Sequence, residues 1–260
     1  VLAPGSVAEF FGIHGLAENA LTLKTLGDAI RIRNHVIDLL ERAALLSKEE
    51  RRALLSFVVV GGGLNGIEVT GELHDFILKA LDDYPSIDRR EIGMVLIEML
   101  DRLAQEVPTE LGAYAQRNLA SRGIEVWLRA RVTAYESGRV RVHDGREINT
   151  EALIWTAGMR PSPLIHRIPI PRTEGRDERL PVNDYLQVRG YDTLWAVGDC
   201  ALVPDARGGF HPPTAQHAVR QGKHLARNLV ASLMGQKLEP FGYRGIGMLA
   251  TLGRHRGVGR

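Results

Sequence analysis

The sequence predicts an α/β fold built on a mainly parallel sheet, and three observations carry that expectation. Short apolar runs recur at 57–60, 93–98, 124–128, 152–156 and 194–197. Amphipathic stretches of helical spacing lie between several of them, and one run passes straight into a glycine-rich turn that opens a helical pattern. Strands that alternate with helices are joined by crossovers, and crossovers leave neighbouring strands parallel.

In chain order, Val1-Leu2-Ala3-Pro4-Gly5 reads as the tail of a strand, which implies further chain upstream. From Thr25 to about Leu46 the spacing predicts a helix, with Ile30, Val36, Ile37, Leu40 and Ala44 on one side and Arg31, Arg33, Glu41 and Arg42 elsewhere. Phe57 to Val60 is a β-prone run that enters Gly61-Gly62-Gly63-Leu64-Asn65-Gly66. Ile67, Val69, Leu73, Phe76, Ile77, Leu78 and Leu81 then continue at helical spacing. A second strand over 93–98 completes a βαβ unit. A helix over about 110–121 stops at Gly123, a natural residue for a left-handed C-terminal cap, before a third strand at 124–128. Residues 133–149 alternate and carry the turn pairs Ser137-Gly138 and Asp144-Gly145, which predicts a small antiparallel meander. The run 152–156 leads to Ala157-Gly158, a Pro- and charge-rich connector spans roughly 160–179, and a strand at 194–197 ends in Gly198-Asp199-Cys200. A last helix covers about 214–233.

Composition narrows the function classes. With 44% hydrophobic and 25% charged residues the chain has the make-up of a soluble globular protein. Lys+Arg 33 against Asp+Glu 31 leaves a net charge of +2, which gives no electrostatic case for a nucleic-acid partner. The basic cluster Arg254-His255-Arg256 with Arg260 reads as a solvated tail. No apolar stretch approaches the roughly 18 residues a membrane span needs, and no signal peptide opens the chain. The expected location is therefore the cytoplasm or the cytoplasmic face of a membrane. The single cysteine, Cys200, excludes an internal disulfide and a two-cysteine redox motif within these residues, and reads as a small buried residue. His217 and His224 share one helix face, but no H-E-x-x-H or C-x-x-C spacing accompanies them, and no metal is expected.

The strand, G-x-G-x-x-G and helix in succession predict a Rossmann-like dinucleotide site. Gly61 permits the tight turn, Gly63 leaves no side chain between the backbone and a pyrophosphate, and Gly66 lets the helix lie close on the strand. The helix N-terminus then offers unpaired N–H groups and its positive dipole end to the phosphates. Glu98 ends the second strand, where a carboxylate accepts hydrogen bonds from a ribose diol and repels a 2′-phosphate, favouring NADH over NADPH. It comes later than the usual spacing of about 20 residues, so the connection through 82–91 carries extra length. The alternative is an exposed strand-end carboxylate. Glu68, in the first helical turn, complements the helix dipole or lies beside the nicotinamide. Asp199 follows a strand end and a glycine, which suits a ligand-binding group or a turn aspartate.

Five segments together resemble the type II NADH:quinone oxidoreductases, flavoproteins with two dinucleotide-binding domains: 61–73 (GGGLNGIEVTGEL), 155–161 (WTAGMRP), 195–201 (WAVGDCA), 212–218 (PPTAQHA) and 250–256 (ATLGRHR). The resemblance runs from Leu2 to Arg256. It implies that the glycine motif present is the second, NADH-binding one, and that an FAD motif lies N-terminal to Val1. It further implies an FAD-binding domain split around the NADH-binding domain, with residues 1–27 and 157–260 in the former and 28–156 in the latter. By the same resemblance Asp199 holds the FAD ribityl chain, Gly158 is a cofactor-binding position, and Thr214, Ala215 and Gln216 form the helix start under the flavin, close to the quinone. Glu98 matches the ribose acid and Glu68 a glutamate near flavin and nicotinamide. Members often carry A-Q-x-A-x-Q; here Arg220 stands in place of the second glutamine and Gln221 follows it. The chain also stops before the amphipathic C-terminal segment by which such enzymes sit on a membrane. The implied function is hydride transfer from NADH to FAD, then electron transfer to a membrane quinone, with Gln216 and Arg220 on the acceptor side, no proton pumping and no cysteine intermediate. A flavoprotein reductase of the same architecture with a ferredoxin or disulfide acceptor, or a non-catalytic nucleotide-binding fragment, are the alternative expectations.

Overall fold

Phe57, Val58, Val59 and Val60 are all buried, and an unbroken apolar strand of this kind needs cover on both faces of its sheet. The computed structural model, which describes residues 1–170, 177–245 and 247–259, supplies it. Contacts divide the chain into a larger unit, Ala8–Gly158 with Gly247–Arg260, and a smaller unit, Val1–Val7 with Met159–Ile246.

In chain order the larger unit contains β1 (Leu21–Thr22), α1 (Leu26–Ala44), β2 (Ser56–Val60), α2 (Leu64–Ala80), β3 (Gly93–Ile97), α3 (Thr109–Ser121), β4 (Glu125–Trp127), β5 (Val132–Glu136), β6 (Arg139–Val142), β7 (Glu147–Asn149) and β8 (Ala152–Trp155). Its last segment adds β9 (Leu249–Thr251) and β10 (Gly257–Gly259). The main sheet has the order β1-β8-β2-β3-β4 and every pairing in it is parallel. Alternation decides what each residue of β2 meets. Phe57 and Val59 join Val36, Leu39, Ile67, Ile77 and Leu119 of α1, α2 and α3 in one core. Val58 and Val60 join Tyr135, Val140 and Val142 of the antiparallel meander β5-β6-β7 in another. Helices thus cover one face of the sheet and a meander the other.

Most predicted elements are present within two residues of their expected ends. Thr25 starts α1 by a capping box, its hydroxyl accepting from Asp28 N at 3.1 Å while the Asp28 carboxylate accepts from Thr25 N at 2.8 Å. Gly123, with φ +82°, follows the end of α3. The exception is the expected strand at 194–197. Ala196 bridges only Leu2, and Trp195 only Gln187. Leu2 N donates to Trp195 O at 2.7 Å and Leu2 O accepts from Val197 N at 3.1 Å, but the next donor in a parallel ladder falls on Pro4, which has no N–H. Part of the predicted connector, 171–176, and Arg260 lie outside the described residues.

The contact boundaries also differ from those expected at 27/28 and 156/157. Residues 8–27 belong with the larger unit because β1 extends the sheet at β8 and Leu16 packs into the meander-side core. The Trp155 indole N–H donates to Glu9 O at 2.8 Å, and Glu9 N to Gly158 O at 3.2 Å. The β9–β10 hairpin joins the same unit through Ala250, Leu252 and Val258, which complete the helix-side core. Its three-residue strands are too short to show a period in sequence.

In the smaller unit Ile165, Leu180, Val182, Leu186, Val188, Trp195 and Cys200 form a separate core around Leu225 of α4 (Ala215–Leu233). The buried stripe of α4 is largely polar, consisting of His217, Gln221, His224 and Asn228 beside Leu225. Asn228 is held at both ends, donating to Glu239 O at 2.8 Å and accepting from Glu239 N at 3.0 Å, and His224 Nε2 lies 2.8 Å from Glu239 O.

Two helical glycines separate the packing requirement from the conformational one. A Cβ on Gly66 would clash with the Gly61 carbonyl oxygen, whereas one on Gly222, inside α4, meets nothing within 4 Å. Gly66→Ala is expected to lower stability by about 1–3 kcal/mol. Gly222→Ala is expected to raise it by roughly 0.4–1 kcal/mol. Urea denaturation followed by circular dichroism measures both.

Candidate functional site

In the larger unit the candidate site residues gather at the C-terminal end of β2. Gly61 has φ +111° and donates its N–H to Ile97 O at 2.9 Å. A Cβ at Gly61, Gly62, Gly63 or Gly66 would lie no more than 2.9 Å from a neighbouring atom; at Gly61, Gly62 and Gly66 this excludes a side chain, while at Gly63 the obstacle is the end of a side chain that can move. For Gly61 the obstacle is Thr156 and Ala157, for Gly62 it is Leu103 and Glu98, and for Gly63 it is the Glu106 carboxylate. Gly63 is the N-cap residue of α2 and no side chain caps that helix. Its first-turn amides therefore face an edge from which side chains have been removed, the arrangement that binds phosphate.

Glu98 lies directly after β3 and is buried. Its Oε2 accepts from Gly62 N at 2.5 Å and its Oε1 from Leu100 N at 2.7 Å. The carboxylate thus braces the glycine turn. An ionised carboxylate has about four acceptor positions, so two remain for the hydroxyls of a diol. Spacing alone gave no sign of the loop that follows. Ala104, at φ +49°, donates its N–H to Gly62 O at 2.8 Å, Leu103 is buried, and the Arg102 guanidinium donates to the carbonyls of Ala104, Gln105 and Val107 at 3.1 Å each. These bonds fold residues 99–107 over the turn and bring Glu106 to it.

Glu68 faces the hairpin. Its Oε1 lies 3.3 Å from Thr251 N and 3.1 Å from Thr251 Oγ1, while Glu72 Oε1 is 3.0 Å from the same hydroxyl. One hydroxyl proton serves two carboxylates there. The hairpin is pinned further by Arg122, which donates to the Leu252 and Gly71 carbonyls and to Asp75 Oδ1, the last at 2.5 Å. Asp75 Oδ2 also accepts from Arg254 N at 2.8 Å. Burial, and then the Arg122 charge, hold the neighbouring His74 below the ordinary histidine range. Gly158, at φ +86°, has a local reason to be glycine: a Cβ would strike the Phe11 ring.

The remaining predicted residues lie in the smaller unit. Asp199 sits in the turn Gly198–Cys200 and accepts from Ser6 Oγ at 2.5 Å. Gly198 N donates to Gln221 Oε1 at 2.8 Å, which ties that turn to α4. Gln221 was placed in the sequence only as a displaced motif residue, and its job here is to hold the Asp199 turn. Thr214 is the N-cap residue of α4, but its hydroxyl meets His217 Nδ1 at 2.7 Å rather than capping a backbone amide. Gln216 Oε1 accepts from Tyr243 OH at 2.8 Å. Arg220 donates to Gln216 O at 3.0 Å and its guanidinium lies over the Tyr243 ring, 4.3 Å from the centre. Gln216 and Arg220 therefore form one cluster, with Tyr243 at its middle, a residue that sequence analysis did not single out. The His217 ring is 5.2 Å from both Tyr243 and His211. Burial first, then His211 and Arg220, hold His217 below its ordinary pKa.

His217 and His224 thus have separate partners. Among the described residues no group of three or more His, Cys, Asp or Glu side chains is placed to hold a metal ion. Among the same residues no helix is long and apolar enough to cross a membrane.

The model of the pyridine nucleotide-disulphide oxidoreductase family matches residues 1–222. A probable NADH dehydrogenase of Dictyostelium discoideum is 34% identical over 263 residues, which are 99% of this chain and 57% of that protein. A type II NADH:quinone oxidoreductase of Staphylococcus aureus is 32% identical over 264 residues, covering 100% of this chain and 64% of its own length. The chain therefore spans between about half and two thirds of the curated relatives it matches. Among solved structures, NDH2 from Plasmodium falciparum in complex with NADH superposes with a TM-score of 0.89 at 22% identity, over 99% of this chain and 68% of that one, a likeness of fold.

Cys200 offers a check on the smaller unit. Its thiol is buried and burial pushes its pKa up to about 11, while Sγ lies 3.4 Å from Val197 O. At pH 8 only about one thiol in a thousand is then ionised, and the thiolate is the reactive form. Native protein is expected to react with Ellman's reagent over hours rather than seconds, and urea-unfolded protein to release one equivalent at once.

Proposed function

The chain belongs to the pyridine nucleotide-disulphide oxidoreductase family, and from that footing we propose that it forms the NADH-binding part, with a portion of the FAD-binding part, of an enzyme that oxidises NADH and reduces a membrane quinone. The observation that supports this most is the glycine turn. Gly61, Gly62, Gly63 and Gly66 leave a backbone edge at an uncapped helix N-terminus, and a buried carboxylate at the end of the next strand stands beside it. The parts fit a nicotinamide dinucleotide: the α2 amides take the pyrophosphate, and the two spare acceptor positions of Glu98 take the adenosine ribose hydroxyls. A 2′-phosphate would set a second negative charge against Glu98, which favours NADH. Glu68, tethered to Thr251, would define the nicotinamide side of α2.

In the smaller unit Asp199, oriented by Ser6 and by the turn that Gln221 holds, fits a ribityl hydroxyl, and Thr214, Ala215 and Gln216 fit the edge of a flavin. FAD, when bound, supplies the two-electron acceptor and passes the electrons on. Tyr243 donates to Gln216 Oε1, which makes the Nε2 end of that amide its donor end. With the Arg220 guanidinium one turn further along, it would donate hydrogen bonds to a quinone carbonyl, whose oxygen grows more basic on reduction. Within this chain the single cysteine has a thiol that resists ionisation, so Cys200 itself is no part of a redox disulfide here. Peripheral membrane association follows for the parent enzyme, because a quinone acceptor is dissolved in the bilayer.

Calorimetric titration tests the nucleotide assignment. NADH is expected to bind about tenfold or more tighter than NADPH, and Glu98→Gln to weaken NADH by a similar factor and abolish the preference. Equal affinities in the parent protein would overturn the role of Glu98. For the acceptor side, stopped-flow measurement on the flavin-loaded enzyme is expected to show Gln216→Ala slowing quinone reduction about tenfold, with flavin reduction by NADH unchanged. Equal slowing of both half-reactions would remove Gln216 from the acceptor site.

A further inference from the structure

A carboxylate stands beside the glycine edge to which the dinucleotide reading assigns phosphate. Glu106 is exposed and, among the described residues, no lysine or arginine pairs with it. Yet its Oε1 lies 2.9 Å from the point where a Cβ on Gly63 would stand, at the residue that begins α2. Its backbone has little freedom to move away. Ala104 N is bonded to Gly62 O at 2.8 Å, and Arg102 holds the Val107 carbonyl at 3.1 Å on the other side of it. Only the side chain is left to swing.

The helix end bears on this pose. The first turn of α2 has no capping side chain, and the positive end of the helix dipole attracts the nearest negative group. Here that group is Glu106. A pyrophosphate would bring two negative charges to the same edge, close to the carboxylate. We propose that Glu106 is an intramolecular competitor for the dinucleotide pyrophosphate, a specificity-determining residue that weakens the binding of phosphate-bearing ligands at the glycine turn. The proposal rests on the assignment of that turn to NADH.

Calorimetric titration of the chain with NADH, ADP-ribose and adenosine separates the possibilities, since adenosine shares the base and ribose contacts but carries no phosphate. Glu106→Gln keeps the size of the side chain and removes its charge. It is expected to tighten NADH and ADP-ribose by about two- to fivefold and to leave adenosine unchanged. Glu106→Ala is expected to agree with it, and Glu110→Gln, which removes an exposed charge in the first turn of α3, to change nothing. Equal affinities of the parent chain and Glu106→Gln for NADH overturn the proposal alone. So does a tightening shared by adenosine or matched by Glu110→Gln, or a weakening, which would make Glu106 a ligand contact. Absence of NADH and ADP-ribose binding from every protein overturns the dinucleotide assignment, and this inference with it.

Discussion

In the larger unit α2 lies hard against the end of β2. Gly66 lies so close to the Gly61 carbonyl that no Cβ fits between them, and Gly61 itself turns with φ +111° against Thr156 and Ala157. That contact sets the angle at which α2 leaves the sheet, and with it the direction of its first-turn amides. It also sets which residues of α2 reach the core: Ile67 and Ile77 fall against Phe57 and Val59 only if the helix lies this close. Downstream features inherit the placement. A Cβ on Gly71, on the same helix, would lie 2.5 Å from the Leu252 carbonyl carbon, so the β9–β10 hairpin docks where it does because a second helical glycine permits it.

Around the turn, the chain satisfies its own polar groups with carboxylates. Glu98 accepts two backbone amides, and Glu68 and Glu72 share one threonine hydroxyl. Each of these acids has a structural task within the chain, and a role toward substrate is compatible with it only because a carboxylate has more acceptor positions than those tasks use. The smaller unit follows a different rule. The inner stripe of α4 is built of His217, Gln221, His224 and Asn228, and their partners are backbone groups, the Thr214 hydroxyl and aromatic rings. Burying so many polar groups is tolerable because each is hydrogen-bonded. It also makes the positions of the Asp199 turn and of Tyr243 specific, since a slip would leave buried donors without acceptors.

Much of the fold was legible in the sequence because its parallel strands are nearly all apolar and its helices are long. The run 57–60 and the glycines after it identify β2, the turn and α2 directly, and the alternation at 133–149 identifies the meander. What failed to show was short or dependent on a partner. The run 194–197 looks like a strand and is buried like one, but a proline in its neighbour ends the ladder. The β1 edge strand and the β9–β10 hairpin are too brief to carry a period, and they move the boundaries of the larger unit away from 27 and 156.

The sequence by itself determined the nature of the site: glycines at 61, 63 and 66 behind a strand, an acid after the next strand, and an amide and a guanidinium one turn apart on the last helix. These are local facts, since spacing along a strand or helix decides which side chains share a face. The tertiary structure alone decided what those groups do within the chain. It turned Glu98 into a brace for the glycine loop, tied Glu68 to Thr251, set Tyr243 between Gln216 and Arg220, and carried Glu106 beside Gly63. Those partners are distant in sequence or lie on loops without a period. Their meeting follows from backbone bonds such as Ala104 to Gly62, which no pattern of side chains encodes.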